Sequence, residues 1–396
     1  MQNYRASKVY TVSPINLFGV REQRRGLLVP EKPKFLKDIA DLYSDQLALK
    51  YRYTSTYPEP SIAWLSREQH GSPLPLYKAK IVLEGKLPRD FDGIRSLKFS
   101  EDATQLIVGY GCGNIEIWPI SSHKNKRYVK SNGDKFAITS IQRIPKTERF
   151  LAASLPGIVY NCGPMDDDYR IFIREPHNEI NSVDVCYDGT LAATGGKDAC
   201  IRLYDIETCK TIRIFKRSSY GYANEDSNFH GLRILCVKFH PEMDNTMVSG
   251  GWDGLVKIWD TRTPGGCVSN LCGPYICGEA IDINASTVLT GSMQIGNGLQ
   301  LWNINTGKLI ECVSPLNRSV AVNGEFTYTA KFYDGDFSGN TVIAGGRNSK
   351  FEMIDIMERR VMCGFPVKRS CLAIDSKDKL LAFGGLEPML RVVNYN

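Results

Sequence analysis

The chain has 396 residues, 42% of them apolar and 23% charged, which excludes a disordered polymer and calls for either several domains or one closed repeat. Its net charge of +6 is uneven: positions 1–76 hold eleven Lys/Arg against seven Asp/Glu, leaving only +2 for the remainder of the chain. That balance excludes a nucleic-acid-binding stripe and favours an acidic protein surface as partner, while the opening MQNYRASKVYTVSPINLFGV has no apolar h-region and no run of eighteen apolar residues occurs anywhere, so neither a signal peptide nor a membrane is expected and the expected location is cytoplasmic.

The N-terminal arm, positions 1–76, contains seven prolines and no strand alternation. Within this arm, PKFLKDIADLYSDQLALKYRY starts on Pro33, a good first-turn residue, and sets Leu36, Ile39, Tyr43 and Leu47 on one stripe at spacings of three and four. The spacing predicts an amphipathic helix over about 34–50, with Lys37, Asp38, Asp41 and Asp45 on its polar side. So few apolar side chains bury too little to order the segment alone, so it has to lean on the rest of the chain or on a partner. Around it the chain reads as extended. Because aromatics and arginine dominate interface energetics, Arg24, Arg25, Tyr57 and Trp64 are candidate partner-binding residues.

From residue 77 onward the pattern changes to short alternating runs of four to seven residues broken by Gly, Asp and Asn, the signature of an all-β chain. A frame, apolar-x-x-apolar-x-apolar, recurs as Ile94-Leu97-Phe99, Ile180-Val183-Val185 and Ile234-Val237-Phe239, with a partial copy at Ile138-Ile141. The frames start at positions 94, 138, 180 and 234, a period expected of propeller blades. After the frames come runs that close on small residues, turn, and run again: LIVGYGCGNIEIW, FLAASLPGIVYNC, LAATGGKDACIRLYD, TMVSGGWDGLVKIWD, VLTGSMQIGNGLQLWN, VIAGGRNSKFEMID and LAFGGLEPMLRVVN. These seven units resemble a WD40-repeat β-propeller over residues 77–396, an all-β, seven-bladed fold. The last unit ends with three strands where a blade needs four, and an unpaired edge is an aggregation hazard. YKAKIVLEG, residues 77–85, has no blade of its own and is expected to supply the fourth, closing the ring from the N-terminal side. Two loops, 216–231 and 314–326, are longer than the repeat demands.

The resemblance implies a hydrogen-bonded set in each well-formed blade, supplied here by His230, Ser249, Asp253 and Trp259, and in part by His177, Thr194, Asp198 and Tyr204. Ser, His and Asp together evoke a hydrolase, but Ser249 lies within a strand and lacks the Gly-x-Ser-x-Gly elbow, so the set is read as structural and no catalytic residue is assigned. Cys267, Cys272 and Cys277 are spaced C-x4-C-x4-C, without the close pairs and fourth ligand of a structural zinc site, so no metal is expected. The remaining cysteines, such as Cys186 and Cys236, sit in apolar runs as reduced thiols. GSMQIGNG, 291–298, runs from strand to strand with no helix terminus for a phosphate, and MDDDY, 165–169, reads as a solvated turn.

The expected function is therefore a non-catalytic scaffold with no cofactor and no small-molecule, nucleic-acid or membrane ligand, docked to protein partners through the arm and the propeller faces. Trp252, in a variable turn and expected to face outward, and Arg262, in a W-D-x-R sequence found in some ubiquitin-ligase substrate receptors, join the candidate partner-binding residues. The basic, proline-punctuated arm is similar to those of microtubule- and axoneme-associated propellers, which makes a ciliary or flagellar cytoskeletal setting, with tubulin or axonemal proteins as partners, the specific expectation.

Overall fold

Each recurring frame lies on the innermost strand of a four-stranded antiparallel blade, and a β-bulge explains its odd spacing. In the first blade the pairing register shifts between Ile94 and Ser96, so an extra residue separates the first apolar position from the second. The same shift recurs between Ile138 and Ser140, Ile180 and Ser182, and Ile234 and Cys236. The computed structural model describes residues 79–122, 126–130, 135–217, 228–263, 266–294, 297–318, 326–347 and 350–395. The arm with its expected helix, including Arg24, Arg25, Tyr57 and Trp64, lies outside the described residues, as do 218–227 and 319–325 of the two long loops.

Seven sheets of four strands each form the described residues. Blade 1 comprises β2 (Ile94–Phe99), β3 (Gln105–Tyr110), β4 (Ile115–Pro119) and β5 (Arg127–Lys130), and blade 2 comprises β6 (Ile138–Arg143), β7 (Phe150–Ser154), β8 (Ile158–Cys162) and β9 (Tyr169–Arg174). Blade 3 holds β10 (Ile180–Val185), β11 (Leu191–Gly196), β12 (Ile201–Asp205) and β13 (Thr211–Phe215). Blade 4 holds β14 (Ile234–Phe239), β15 (Thr246–Gly251), β16 (Leu255–Asp260) and β17 (Cys267–Cys272). Blade 5 runs through β18 (Ile281–Asn284), β19 (Thr287–Gly291), β20 (Leu299–Asn303) and β21 (Lys308–Cys312), and blade 6 through β22 (Thr327–Phe332), β23 (Thr341–Gly346), β24 (Lys350–Asp355) and β25 (Arg360–Pro366). Blade 7 takes β26 (Cys371–Lys377), β27 (Leu380–Gly385) and β28 (Met389–Tyr395) from the C-terminal end, and its outer strand is β1 (Ala79–Lys86).

The pairing of β1 with β28 runs from Ala79 opposite Tyr395 to Lys86 opposite Met389, so the first and last described strands meet to close the ring. The innermost strands β2, β6, β10, β14, β18, β22 and β26 touch one another in that order and return to β2. Between blades, apolar side chains of one frame pack on the small residues that close the preceding second strand. A Cβ on Gly195 would stand 2.6 Å from Ile234 Cγ2 and 2.7 Å from Val237 Cγ2, which is why that strand ends in glycine. Fully buried Leu97, Leu106, Phe150, Trp259, Phe351 and Phe383 fill these inter-sheet layers.

Candidate functional site

In blade 4 the strand register sets Ser249 on β15, Trp259 on β16, His230 before β14 and Asp253 in the β15–β16 turn within reach of one another. His230 Nδ1 lies 2.7 Å from Asp253 Oδ2 and its Nε2 2.7 Å from Ser249 Oγ, while Trp259 Nε1 donates to Ser249 Oγ at 2.8 Å. An ionised Asp253 can only accept, so Nδ1 carries the proton, Nε2 accepts from the serine hydroxyl, and that hydroxyl accepts from the indole. Burial works against the Asp253 charge, but the hydrogen bond from His230, with backbone hydrogen bonds from Gly231 and Leu255, outweighs it and holds the carboxyl below its ordinary range. Ser249 is completely buried and both its roles are occupied. This geometry ties two strands, the turn between them and the segment before β14 together rather than presenting a nucleophile.

Blade 3 corrects the expected assignment. His177 does not join Thr194 and Tyr204: it is exposed, in a left-handed conformation with φ of 64°. The turn is tight, with Asn178 N donating to Glu175 O at 3.2 Å, and that curl throws His177 outward. Glu175 turns inward instead, with its side chain 1% exposed. Its carboxylate accepts from Thr194 Oγ1 (2.5 Å), Asn178 Nδ2 (2.6 Å), Arg202 Nη1 (2.8 Å) and Tyr204 OH (2.9 Å). Asp198 sits at the edge of the network, paired to Arg202 at 2.6 Å. Burial and the Glu175 charge together drive the Tyr204 phenol pKa far up, so it acts only as a donor. The sequence signal for this substitution was the position of His177 one residue too close to β10.

Other blades solve the same problem with other residues. In blade 1, buried Glu116 on β4 accepts from Tyr110 OH at 2.8 Å, Trp118 Nε1 at 2.9 Å and Lys126 Nζ at 3.0 Å. In blade 5, Trp302 Nε1 donates to Thr290 Oγ1 at 3.0 Å. In blade 7, Glu387 accepts from Lys368 N at 3.0 Å and pairs with Arg391 at 3.1 Å, taking the place that Asp253 holds in blade 4.

A second polar system lines the centre. Directly after an apolar residue at the equivalent position of each inner strand stand, from blade 1 to blade 7, Lys98, Gln142, Asp184, Lys238, Asp282, Lys331 and Asp375. Lys331 lies 2.8 Å and Lys98 3.6 Å from Asp375, Lys238 lies 3.6 Å from Asp184, and Gln142 Nε2 donates to Asp184. Each aspartate also accepts from a backbone N–H of the next blade: Phe239 N to Asp184 at 2.6 Å, Phe332 N to Asp282 at 2.9 Å and Phe99 N to Asp375 at 2.8 Å. Ser140 of blade 2 donates to Glu279 of the blade 4–5 connection at 2.5 Å, a contact between non-adjacent blades that is possible only across the middle of the ring. Burial pushes the Lys98 pKa down to about 8, whereas at Asp375 burial is outweighed by Lys331 and Lys98, which hold it at about 2.

The two described candidate partner residues lie at opposite ends of blade 4, because Trp252 follows β15 and Arg262 follows β16, which runs back the other way. Trp252 is half-buried, with the Arg233 guanidinium 5.4 Å from its ring. Arg262 is exposed and doubly bonded to Asp260, at 2.9 Å through Nε and 2.7 Å through Nη2. Cys267 is half-buried, Cys272 exposed and Cys277 buried, and among the described residues no three His, Cys, Asp or Glu side chains converge on a metal position. In the 165–169 turn, Asp166 accepts from Tyr128 N at 3.1 Å and Asp168 pairs with Arg149 at 3.2 Å. Among the described residues no helix is long and apolar enough to cross a membrane.

Comparison with known proteins places these blades. The family model described as "WD domain, G-beta repeat" matches residues 169–205 and 227–260, in blades 3 and 4 with their preceding segments. Methylosome protein WDR77 of Xenopus laevis is 30% identical over 24% of this chain and 25% of its own length. Mitotic checkpoint protein bub-3 of Caenorhabditis elegans is 32% identical over 25% of each. The p21-activated protein kinase-interacting protein 1-like of Danio rerio is 26% identical over 59% of this chain and 57% of its own. The aligned part of the chain thus spans about a quarter of the length of the first two relatives.

Proposed function

Because the chain belongs to the WD40-repeat family, as its matched repeats and seven four-stranded blades show, we propose that this scaffold is a non-catalytic platform of a cytoplasmic assembly on microtubules, in an axonemal setting. WD40 propellers bind protein partners, and fold alone goes no further. The observation that carries the platform reading is the use made of the chemically able residues: Ser249, His230 and Asp253 in blade 4 and Glu175 in blade 3 are consumed by internal hydrogen bonds. No cofactor or small substrate enters the reading. The microtubule setting rests on residues 1–76, whose surplus of +4 with Tyr57 and Trp64 among prolines suits an acidic protein lattice. Pelleting the full chain with purified microtubules at rising salt tests it: retention through a moderate salt wash supports the setting, and release at low salt refutes it.

Arg262 favours a second reading, a substrate-receptor adaptor of a ubiquitin ligase. Its side chain is 70% exposed and is anchored in place by Asp260. Arg262→Ala would then abolish co-purification of ligase subunits without changing the melting temperature. Co-purification unaffected by the substitution removes that reading.

A further inference from the structure

Strand direction sorts the turns onto two rims. The first and third strands of every blade run the same way, so the turns after them all lie on one rim. Among the described residues these turns contain fourteen Asp/Glu and seven Lys/Arg, a strong acidic surplus concealed by the near-neutral total. The same rim carries four of the five most exposed large apolar side chains: Phe337 at 98%, Met357 at 74%, Met165 at 64% and Tyr187 at 63%. The fifth, Leu316 at 82%, donates its N–H to Arg359 O of the Met357 turn at 2.7 Å.

Blade 6 is the centre of this surface. Hydrogen bonds lace four segments together there, from Leu316 to Arg359, from Ile356 N to Asn340 O at 2.8 Å, and from Asp378 N to the Asp334 carboxylate at 2.8 Å. Phe337 is held out by a fixed turn, since Asp336 accepts from Ser338 N at 3.0 Å and from its hydroxyl at 2.5 Å, and Gly339 N closes back on Asp336 O at 3.1 Å with φ of 70°. A pre-ordered aromatic loses little entropy when a partner covers it. Of the nearby cations, Arg359 is engaged with Glu311 at 2.8 Å, Arg360 with Glu358 at 2.7 Å and Lys377 with Asp334 at 3.5 Å, while Lys379 beside Asp378 is exposed.

We propose that this rim, centred on Phe337 and Met357, docks a cationic protein segment whose spaced apolar side chains cover the exposed aromatic, thioether and leucine groups. Charge complementarity across the rim as a whole selects that occupant, because its surplus of carboxylates among the described residues repels acidic segments and steers basic ones. The proposal deepens the platform reading and assigns it a patch on blade 6, apart from Arg262 of blade 4. The test is fluorescence anisotropy on the full chain with two synthetic peptides that share leucine positions, one with lysine and one with glutamate at the intervening sites. The lysine peptide is expected to bind more weakly as salt rises, and Phe337→Ser to weaken it by about tenfold with an unchanged melting temperature. Equal affinity for both peptides, or wild-type affinity in a Phe337→Ser, Met357→Ser variant, overturns the proposal. Self-association of the full chain that Phe337→Ser abolishes also overturns it, since the occupant is then a second copy. Microtubule retention that survives in the double variant keeps the platform reading separate from this outcome.

Discussion

Replacing Glu175 should reveal how much of blade 3 depends on one carboxylate. In Glu175→Ala, Thr194, Tyr204 and Asn178 each lose an acceptor inside the blade, and Arg202 keeps only Asp198. Removing one member of a buried, hydrogen-bonded ion pair costs about 3–5 kcal/mol. In a chain of this size that is a fall on the order of 4–7 °C in Tm. Glu175→Gln keeps the shape and part of the acceptor capacity, so a loss of about 1–3 kcal/mol is expected. His177→Ala, at an exposed turn, should stay within about 0.5 kcal/mol. Urea denaturation followed by hydrogen exchange is the assay, with β11 and β12 expected to lose protection first in Glu175→Ala. If His177→Ala destabilises as much as Glu175→Ala, the assignment of the carboxylate to the histidine's role is wrong.

The central charges give a pH-dependent contrast. Lys98 has a folded pKa of about 8, below the ordinary lysine value, so the unfolded chain binds more protons between those values and stability attributable to Lys98 rises as pH climbs through that window. Lys98→Met should therefore stabilise at pH 7, with the gain fading toward about pH 10, while Lys331→Met, which takes away the cation 2.8 Å from Asp375, should destabilise by about 3 kcal/mol. Urea midpoints at both pH values decide this, and equal losses in the two variants would count against it. Asp375, held at about 2, should contribute stability that is complete above about pH 4 and lost as pH falls toward 2. Deleting 77–85 removes most of the partner of β28 and should abolish cooperative melting of the propeller; an unchanged melt would refute the closure.

The propeller was legible because its repeat is written in apolar spacing, and where the spacing failed the structure shows why. Blade 5 has no frame because β18 starts at Ile281 and pairs with β19 without the bulge that creates the three-residue gap elsewhere. The blade 4 network could be read because each role is filled by the expected residue type. Blades 1, 3 and 7 could not, since Glu116, Glu175 and Glu387 approach from a strand, a connection and a turn respectively, and a carboxylate has no fixed place in the pattern. The central ring had a visible sequence signal, a charged or amide residue directly after an apolar one on each inner strand, but its meaning depends on which blades are neighbours. The acidic rim was invisible in the net charge because successive turns along the chain belong to opposite rims.

Seven is odd, and charges of two signs cannot alternate perfectly around an odd ring. From Asp184 through Lys238, Asp282, Lys331 and Asp375 to Lys98 the signs do alternate, and neutral Gln142 occupies the one position where parity must fail. A change of blade number therefore has an electrostatic consequence that depends on which blade changes. Loss of any other blade sets two like charges side by side or joins one to Gln142 and leaves an odd surplus, whereas loss of blade 2 leaves a perfectly alternating ring of six and its duplication adds only a second neutral spacer. Blade 2 is the seam at which the copy number of this repeat can change with the least electrostatic consequence.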